Sequence, residues 1–345
     1  MTAHELTLLA GTANPGLASS IARELGVPLG ACAIERFPDG EVHACIDESV
    51  RGREVYVVQP TSPPVNDHLI ELLIIADAAR RASAAHITAI IPYFGYARAD
   101  KRSGCREAIT ARMVADLMQH VGLDHVITLD LHTPQAEGFF RIPVDNLTAV
   151  PLLSGAVRTD VASDLVVIAP DAGRVKMATA YAQSLGAPLA VLHKRRESGT
   201  RTTVTHLVGD VRDRRCLIVD DIISTGGTIA ESAAALLEAG ARREVIVCAT
   251  HGLLLDGAIE RMRTAGVHAV FATDSVAPRG DGGADDGGAL VHVVSTATLF
   301  ATALQRIRAD GSLRELREAR GSGPGARGSA FGGTTIVDQN PAQRL

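Results

Sequence analysis

The run from Leu217 to Ile229 reads Leu-Ile-Val-Asp-Asp-Ile-Ile-Ser-Thr-Gly-Gly-Thr-Ile and holds a strand, a turn and a helix start in one line. Leu217, Ile218 and Val219 form a short apolar run of the kind that makes a buried parallel strand, while Ser224 to Thr228 is dense in hydroxyls and glycine. Beyond it, Ala233, Leu236, Leu237 and Ala241 recur at helical spacing. A glycine-rich turn between a strand end and a helix start aims several backbone N–H groups, and the positive end of the helix dipole, at one point. That point suits a phosphate, and the rest of the chain can be arranged around it.

Asp220 and Asp221 stand at the C-terminal end of this strand, where ligands bind in open α/β sheets, and carboxylates there can accept hydrogen bonds from sugar hydroxyls. A phosphate cradle just beyond a pair of diol acceptors fits a ribose 5-phosphate. Asp-Asp alone is equally well a capped helix after an acidic turn, and the threonine and glycine pattern is what weighs against that plainer reading. The stretch resembles the phosphoribosyl-binding loop shared by phosphoribosyltransferases and phosphoribosyl pyrophosphate synthetases. It does not fit the P-loop, because no Gly-Lys-Ser/Thr follows.

A chain of 345 residues with 46% hydrophobic content can bury large cores and has the length of two domains of about 100 to 200 residues each. A net charge of −5 points to neither nucleic acid nor an acidic membrane surface as a partner. Among 34 basic residues only Lys101, Lys176 and Lys194 are lysines, which makes each conspicuous. Cys32, Cys45, Cys105, Cys216 and Cys248 are odd in number, scattered and form no Cys-x-x-Cys pair. Neither a disulfide framework nor a zinc knuckle is indicated, and a reducing cytoplasm is the expected location. The N-terminus shows no signal peptide, and no apolar run approaches the ~18 residues that cross a bilayer.

Apolar strands at Leu6 to Ala10, Val55 to Val58, Ile87 to Ile91 and Val126 to Leu129 alternate with helical patterns, among them Leu17, Ile21 and Leu25 and then Leu69, Leu72, Leu73 and Ala76. The second half repeats the rhythm with strands at Leu165 to Ala169, Leu189 to Leu192, Cys216 to Val219, Val245 to Ala249, Ala269 to Ala272 and Val291 to Val294. This predicts an α/β protein of two similar doubly wound domains, each with a mostly parallel sheet. The expected domains are 1–150 and 151–318, with 319–345 as a disordered tail rich in Gly, Ser, Ala and Arg, and Arg279 to Gly288 as a mobile Gly/Asp loop.

Motifs in the first half extend the resemblance. Thr61-Ser62-Pro63-Pro64-Val65-Asn66-Asp67, the helix from Glu71 to Ala78, the strand and turn from Ile90 to Arg98, Asp130-Leu131-His132 and Gly138-Phe139-Phe140 resemble the phosphoribosyl pyrophosphate synthetase (ribose-phosphate diphosphokinase) family. The resemblance covers roughly Leu6 to Leu316. It implies domains of phosphoribosyltransferase type and transfer of the diphosphoryl group of ATP, with Mg2+, to the C1 hydroxyl of ribose 5-phosphate. That reaction requires charge neutralisation, an in-line hydroxyl and support for the AMP leaving group.

Carried residue by residue, the resemblance gives His132 and Asp171 as metal contacts, Asp171 also facing the sugar. Arg98 and Asp100 are expected on the ATP phosphates, where a guanidinium clamps bidentately. Phe37, Asp39 and Glu41 are expected on adenine, in a turn that reaches a neighbouring subunit's site, so a homo-oligomer with a shared active site is implied. Asp220, Asp221, Ser224, Thr225, Gly226, Gly227 and Thr228 are the ribose 5-phosphate loop. Lys194 and Arg196, within His193-Lys194-Arg195-Arg196-Glu197, are the catalytic pair of a mobile loop. Each has a plainer reading: a loop histidine, a helix N-cap at Asp171, a β-turn at Phe37-Pro38-Asp39-Gly40, a solvated basic run at Lys194.

Some positions depart from the pattern: Ala99 stands where a glutamine is usual, Arg174 where a glycine is common, and Ser224 and Gly226 where many bacterial members carry aspartate and alanine. Gly104 and Cys105 alter a loop associated with ADP and phosphate regulation, so that behaviour is not carried over. The alternatives are a non-catalytic regulatory homologue, a phosphoribosyltransferase, and a kinase acting on a related phosphosugar. Retention of Lys194, His132 and Arg98 argues against the first, and the motifs of the first half against the second.

Overall fold

A computed structural model describes residues 5–102, 104–158, 164–198, 201–278 and 290–318, with the side chains of 158, 194–198 and 201–205 outside that description. The expected tail, 319–345, and Gly/Asp loop, 279–288, lie outside the described residues. The chain divides into two compact units, one of Met1–Thr148, Ser275–Ala277 and Thr296–Glu318, the other of Ala149–Asp274 and Pro278–Ser295.

In the first unit the elements run β1 (Leu6–Ala10), α1 (Pro15–Leu25), β2 (Cys32–Arg36), β3 (Val42–Ile46), β4 (Glu54–Val58), α2 (Val65–Arg81), β5 (His86–Ile91), α3 (Thr110–Val121), β6 (His125–Leu129) and β7 (Val144–Leu147). The sheet order is β1-β4-β5-β6-β7, every pair parallel. Leu29 bridges Leu8 on the free edge of β1, so the chain steps outward from β1 and then returns across it to β4. This reversal makes the sheet doubly wound. Leu9, Val55, Val57, Ala89, Ile91 and Val126 pack against Leu72, Ile75, Ala76 and Met118 of the covering helices. Residues buried on both faces of a parallel sheet explain the unbroken apolar runs in these strands.

The second unit runs α4 (Val150–Arg158), β8 (Leu165–Ala169), α5 (Val175–Leu185), β9 (Leu189–Ser198), β10 (Arg201–Val208), β11 (Arg215–Ile223), α6 (Gly227–Glu238), β12 (Val245–Gly252), α7 (Ala258–Thr264), β13 (Val267–Thr273) and β14 (Val291–Val294). Its order is β10-β9-β8-β11-β12-β13-β14, with β10 antiparallel at the edge and the other pairs parallel. The winding reverses between β8 and β11. Ile229, Ala233 and Leu236 of α6 and Met262 of α7 close one face over Ile218, Val247 and Val270.

The last helices, α8 (Ala297–Arg308) and the short α9 (Arg314–Arg317), belong to the first unit and not to a domain spanning 151–318. The cause is long-range packing: α8 lies on α1, burying Leu299, Phe300 and Leu304, and Arg308 pairs with Glu54 at 3.2 Å. The two similar, mostly parallel, doubly wound sheets agree with the expected fold class.

Candidate active site

The centre of the second unit is the reversal between β8 and β11, which opens a crevice at the strands' C-terminal ends in any sheet of this kind. Two loops meet there. One follows β8: Asp171 caps a short 3₁₀ turn, Ala172–Arg174, by accepting from the backbone N–H of Arg174 at 3.1 Å. The N-cap reading of Asp171 therefore holds structurally, and its second oxygen is not engaged by that cap bond.

The other loop follows β11. This strand is longer than the sequence implied, since Asp220 pairs in register with Ala249 and the ladder with β12 continues to Ile223 opposite Gly252. The ladder with β8 ends earlier, at Ile218 opposite Ile168, so the two carboxylates sit in strand geometry where β8 has already turned away. Both are buried, at 8% exposure for Asp220 and 2% for Asp221. Arg174 reaches across from the β8 loop, its Nε 3.1 Å from Asp220 Oδ1 and one terminal nitrogen 3.2 Å from Asp221 Oδ1. The Asp221 N–H also donates to Asp220 Oδ1 at 2.9 Å. Burial, and next the negative charge of Asp221, hold the Asp220 carboxyl well above its ordinary value, while Arg174 works in the opposite direction.

Beyond Ile223 the chain turns through Ser224, Thr225 and Gly226 into α6. Gly226 takes φ +73°, and a Cβ there would meet the Ala258 carbonyl oxygen at 3.0 Å, so the turn approaches α7 closely. The turn's carbonyls are held from the far side: Leu255 N–H donates to Ser224 O at 3.0 Å and Arg261 to Thr225 O at 2.6 Å. Carbonyls tied back in this way leave the start of α6, with first-turn N–H groups outside the helical ladder, as the anion-attracting face. Thr225 and Thr228 are exposed at that face, and Ser224 and Gly227 are half-buried.

Lys194 and Arg196 fall on β9 in register with Val204 and Thr202 of β10, so their backbone belongs to an antiparallel hairpin where a loop was expected. β-branched Thr202, Thr203 and Val204 are the physical reason, since they fit a pleated ladder. The side chains of Lys194 and Arg196 lie outside the described residues.

In the first unit, Phe37, Asp39 and Glu41 form the exposed tip of the β2–β3 hairpin. Phe37 N–H donates to Glu41 O at 2.8 Å, Asp39 closes the turn on the Glu41 N–H at 3.1 Å, and the Phe37 ring stays 45% exposed. Such a rigid tip with a solvent-facing ring can stack on a planar base. Arg98 is exposed in the turn after β5. Asp100, just beyond, accepts from the Thr133 hydroxyl at 2.7 Å, which brings the Arg98–Asp100 turn beside His132 at the exit of β6.

The corresponding reversal in the first unit, between β1 and β4, is filled by the protein's own groups. Glu71, 1% exposed, accepts from Thr12 N–H at 2.6 Å, Thr12 Oγ1 at 2.6 Å and Gln59 Nε2 at 2.8 Å. Gln59 in turn accepts from Ala13 N–H at 3.1 Å, and a Cβ on Gly11 would lie 2.2 Å from its Oε1. The residues that the resemblance gives to ATP sit elsewhere, on the turn after β5 and on the β2–β3 hairpin.

Sequence reading missed Arg174 as a partner of the acidic pair, Thr133 as the anchor of Asp100 and Arg261 as the back support of the turn. Thr133 follows His132 directly and could have been suspected. The other two adjoin no such motif residue, and their partners lie tens of positions away.

Among the described residues no cluster of three or more His, Cys, Asp or Glu could hold a metal by protein ligands alone.

Two doubly wound sheets, one with the acidic pair and glycine turn beside its winding reversal and the other with that reversal filled by Glu71 and Gln59, define an α/β protein of phosphoribosyltransferase type. Residues 6–122 match the model for the N-terminal domain of ribose phosphate pyrophosphokinase, and 151–269 match that for the phosphoribosyl transferase domain. The chain is 43% identical over 314 residues to a ribose-phosphate pyrophosphokinase of Caldanaerobacter subterraneus subsp. tengcongensis, covering 91% of this chain and 98% of that one. It is 46% identical over 274 residues to one of Bacillus caldolyticus, covering 79% and 87%. The crystal structure of phosphoribosylpyrophosphate synthetase from Mycobacterium smegmatis superposes with a TM-score of 0.82 at 42% identity, covering 89% of this chain and all of that one. The chain belongs to the ribose-phosphate pyrophosphokinase family. Enzymes of this class move phosphoryl groups and work with a metal ion.

Proposed function

We propose that the protein transfers the diphosphoryl group of ATP to the C1 hydroxyl of ribose 5-phosphate, giving 5-phosphoribosyl 1-diphosphate and AMP. The observation that supports this most is the buried Asp220–Asp221 pair set immediately before the glycine turn that opens α6. The turn and the first-turn N–H groups of α6 take the 5-phosphate, and the carboxylates accept from the ribose hydroxyls.

In the reaction the C1 oxygen attacks the β-phosphorus, the bond from that phosphorus to the α,β-bridging oxygen breaks, AMP leaves with that oxygen, and the hydroxyl proton passes to solvent. Phe37, Asp39 and Glu41 hold adenine, and Arg98 and Asp100 orient the polyphosphate. Lys194 and Arg196 meet charge that develops on the transferring group, where preorganised cations act most strongly. His132 and Asp171 are the residues that would hold Mg2+, which would supply charge neutralisation for the polyphosphate. Because Phe37 projects from an exposed hairpin tip, we assign it to the nucleotide of a neighbouring copy in a homo-oligomer. All five cysteines are unpaired, which suits a reducing cytoplasm. Among the described residues no helix is long and apolar enough to cross a membrane.

The test is product analysis with ATP, ribose 5-phosphate and Mg2+, resolved by mass. AMP with a diphosphorylated ribose supports the reading. ADP with a singly phosphorylated product would replace it by a simple kinase.

A further inference from the structure

Arg174 stands where a glycine is common in the family pattern, yet it is only 14% exposed at its side chain and touches both carboxylates of the sugar loop. Its position is itself constrained, because Asp171 fixes the Arg174 backbone N–H at 3.1 Å and so sets where the side chain departs. Two neighbouring buried carboxylates repel one another, and Asp220 is drawn toward taking up a proton. A protonated carboxyl presents a donor where a sugar hydroxyl needs an acceptor. A planar guanidinium reaching from the β8 loop counters both effects, and its fork meets two separate oxygens in a way that the single ammonium of lysine does not.

We propose that Arg174 is a positioning residue of the sugar site, whose guanidinium bridges Asp220 and Asp221 so that both carboxylates meet the ribose hydroxyls together. The proposal rests on the assignment of that pair to ribose 5-phosphate. Arg174 acts through the pair and not on the transferring group, so its removal falls on sugar affinity and spares the nucleotide.

The experiment is steady-state kinetics of the full chain, comparing Arg174→Ala, Arg174→Lys and Asp221→Asn with the unaltered protein. Arg174→Ala is expected to raise the KM for ribose 5-phosphate at least about tenfold while the KM for ATP stays within about twofold. Arg174→Lys should fall between, and added methylguanidinium should lower the sugar KM of Arg174→Ala. A sugar KM in Arg174→Ala within about twofold of the unaltered value overturns the proposal, as does an equal loss in both KM values and kcat. If Arg174→Ala does not fold, Arg174→Lys decides: a raised sugar KM with the ATP value unmoved supports the bridge, and an unchanged one overturns it. Asp221→Asn separates the two claims. If it leaves the sugar KM unchanged, the pair is not the sugar site; if it raises that KM while the Arg174 variants do not, the bridge alone fails.

Discussion

The Thr133 hydroxyl donates to Asp100 Oδ2 at 2.7 Å, fastening the turn after β5 to the exit of β6. The residues assigned to the polyphosphate and to the metal, Arg98 with Asp100 and His132, thereby share one support although a helix and a strand, α3 and β6, lie between them in the chain. Replacing Thr133 by Val removes the donor and keeps the shape. A hydrogen bond to a carboxylate contributes about 1.5–3 kcal/mol. The expected result is a KM for ATP raised roughly tenfold, with the KM for ribose 5-phosphate unmoved, read by initial rates at saturating co-substrate.

The acidic pair carries a stability consequence. Asp220 is raised in the folded protein, first by burial and then by Asp221. Its folded state therefore holds a proton more tightly than the unfolded chain does, and the stability this brings is complete below the ordinary value of 3.8 and is lost as pH rises through the folded value. Asp220→Asn removes that loss. Thermal unfolding followed from pH 4 upward should show the variant's advantage growing as pH rises, although sugar binding declines. An advantage that shrinks with rising pH contradicts the assignment.

Glu71 holds together a buried network of the protein's own groups. Glu71→Ala would leave the Thr12 turn without its acceptor, leave Gln59 Nε2 only the more distant His68 carbonyl and open a void in the first unit. The expected cost is about 3 kcal/mol, as for breaking a buried charged network. Urea denaturation measures it, and a midpoint indistinguishable from the unaltered protein would show that the network is dispensable.

Lys194→Ala should slow turnover by about 10² to 10³, as for loss of one group that meets transition-state charge, with the sugar KM little changed. Intact turnover would move the catalytic assignment away from the β9–β10 hairpin.

What sequence alone revealed follows from where the forces are local. The Leu217 to Ile229 run was legible because its apolar strand, glycine turn and helical periodicity are neighbours in the chain. The extension of β11 through Asp220 and Asp221 was not, because carboxylates are poor strand formers and the ladder to Ala249 and Gly252 imposes the conformation. β2 and β3 were read only as a turn, since Cys32–Arg36 and Val42–Ile46 are short and show no sustained apolar/polar alternation. β7, Val-Asp-Asn-Leu, is half polar and is a strand only by pairing with β6. Arg174 stood out only as a departure from the family pattern because its partners lie on β11, and α8 looked like part of the second domain because its apolar face names no partner until it meets α1.

The central claim is that the loop at Asp220 to Thr228 binds ribose 5-phosphate, and calorimetric titration of the full chain with that sugar tests it most directly. The unaltered protein should bind, and Asp221→Asn should bind at least about tenfold more weakly, the loss of a charged hydrogen-bond acceptor. Equal affinity in the two proteins would contradict the assignment and with it the sugar site proposed here.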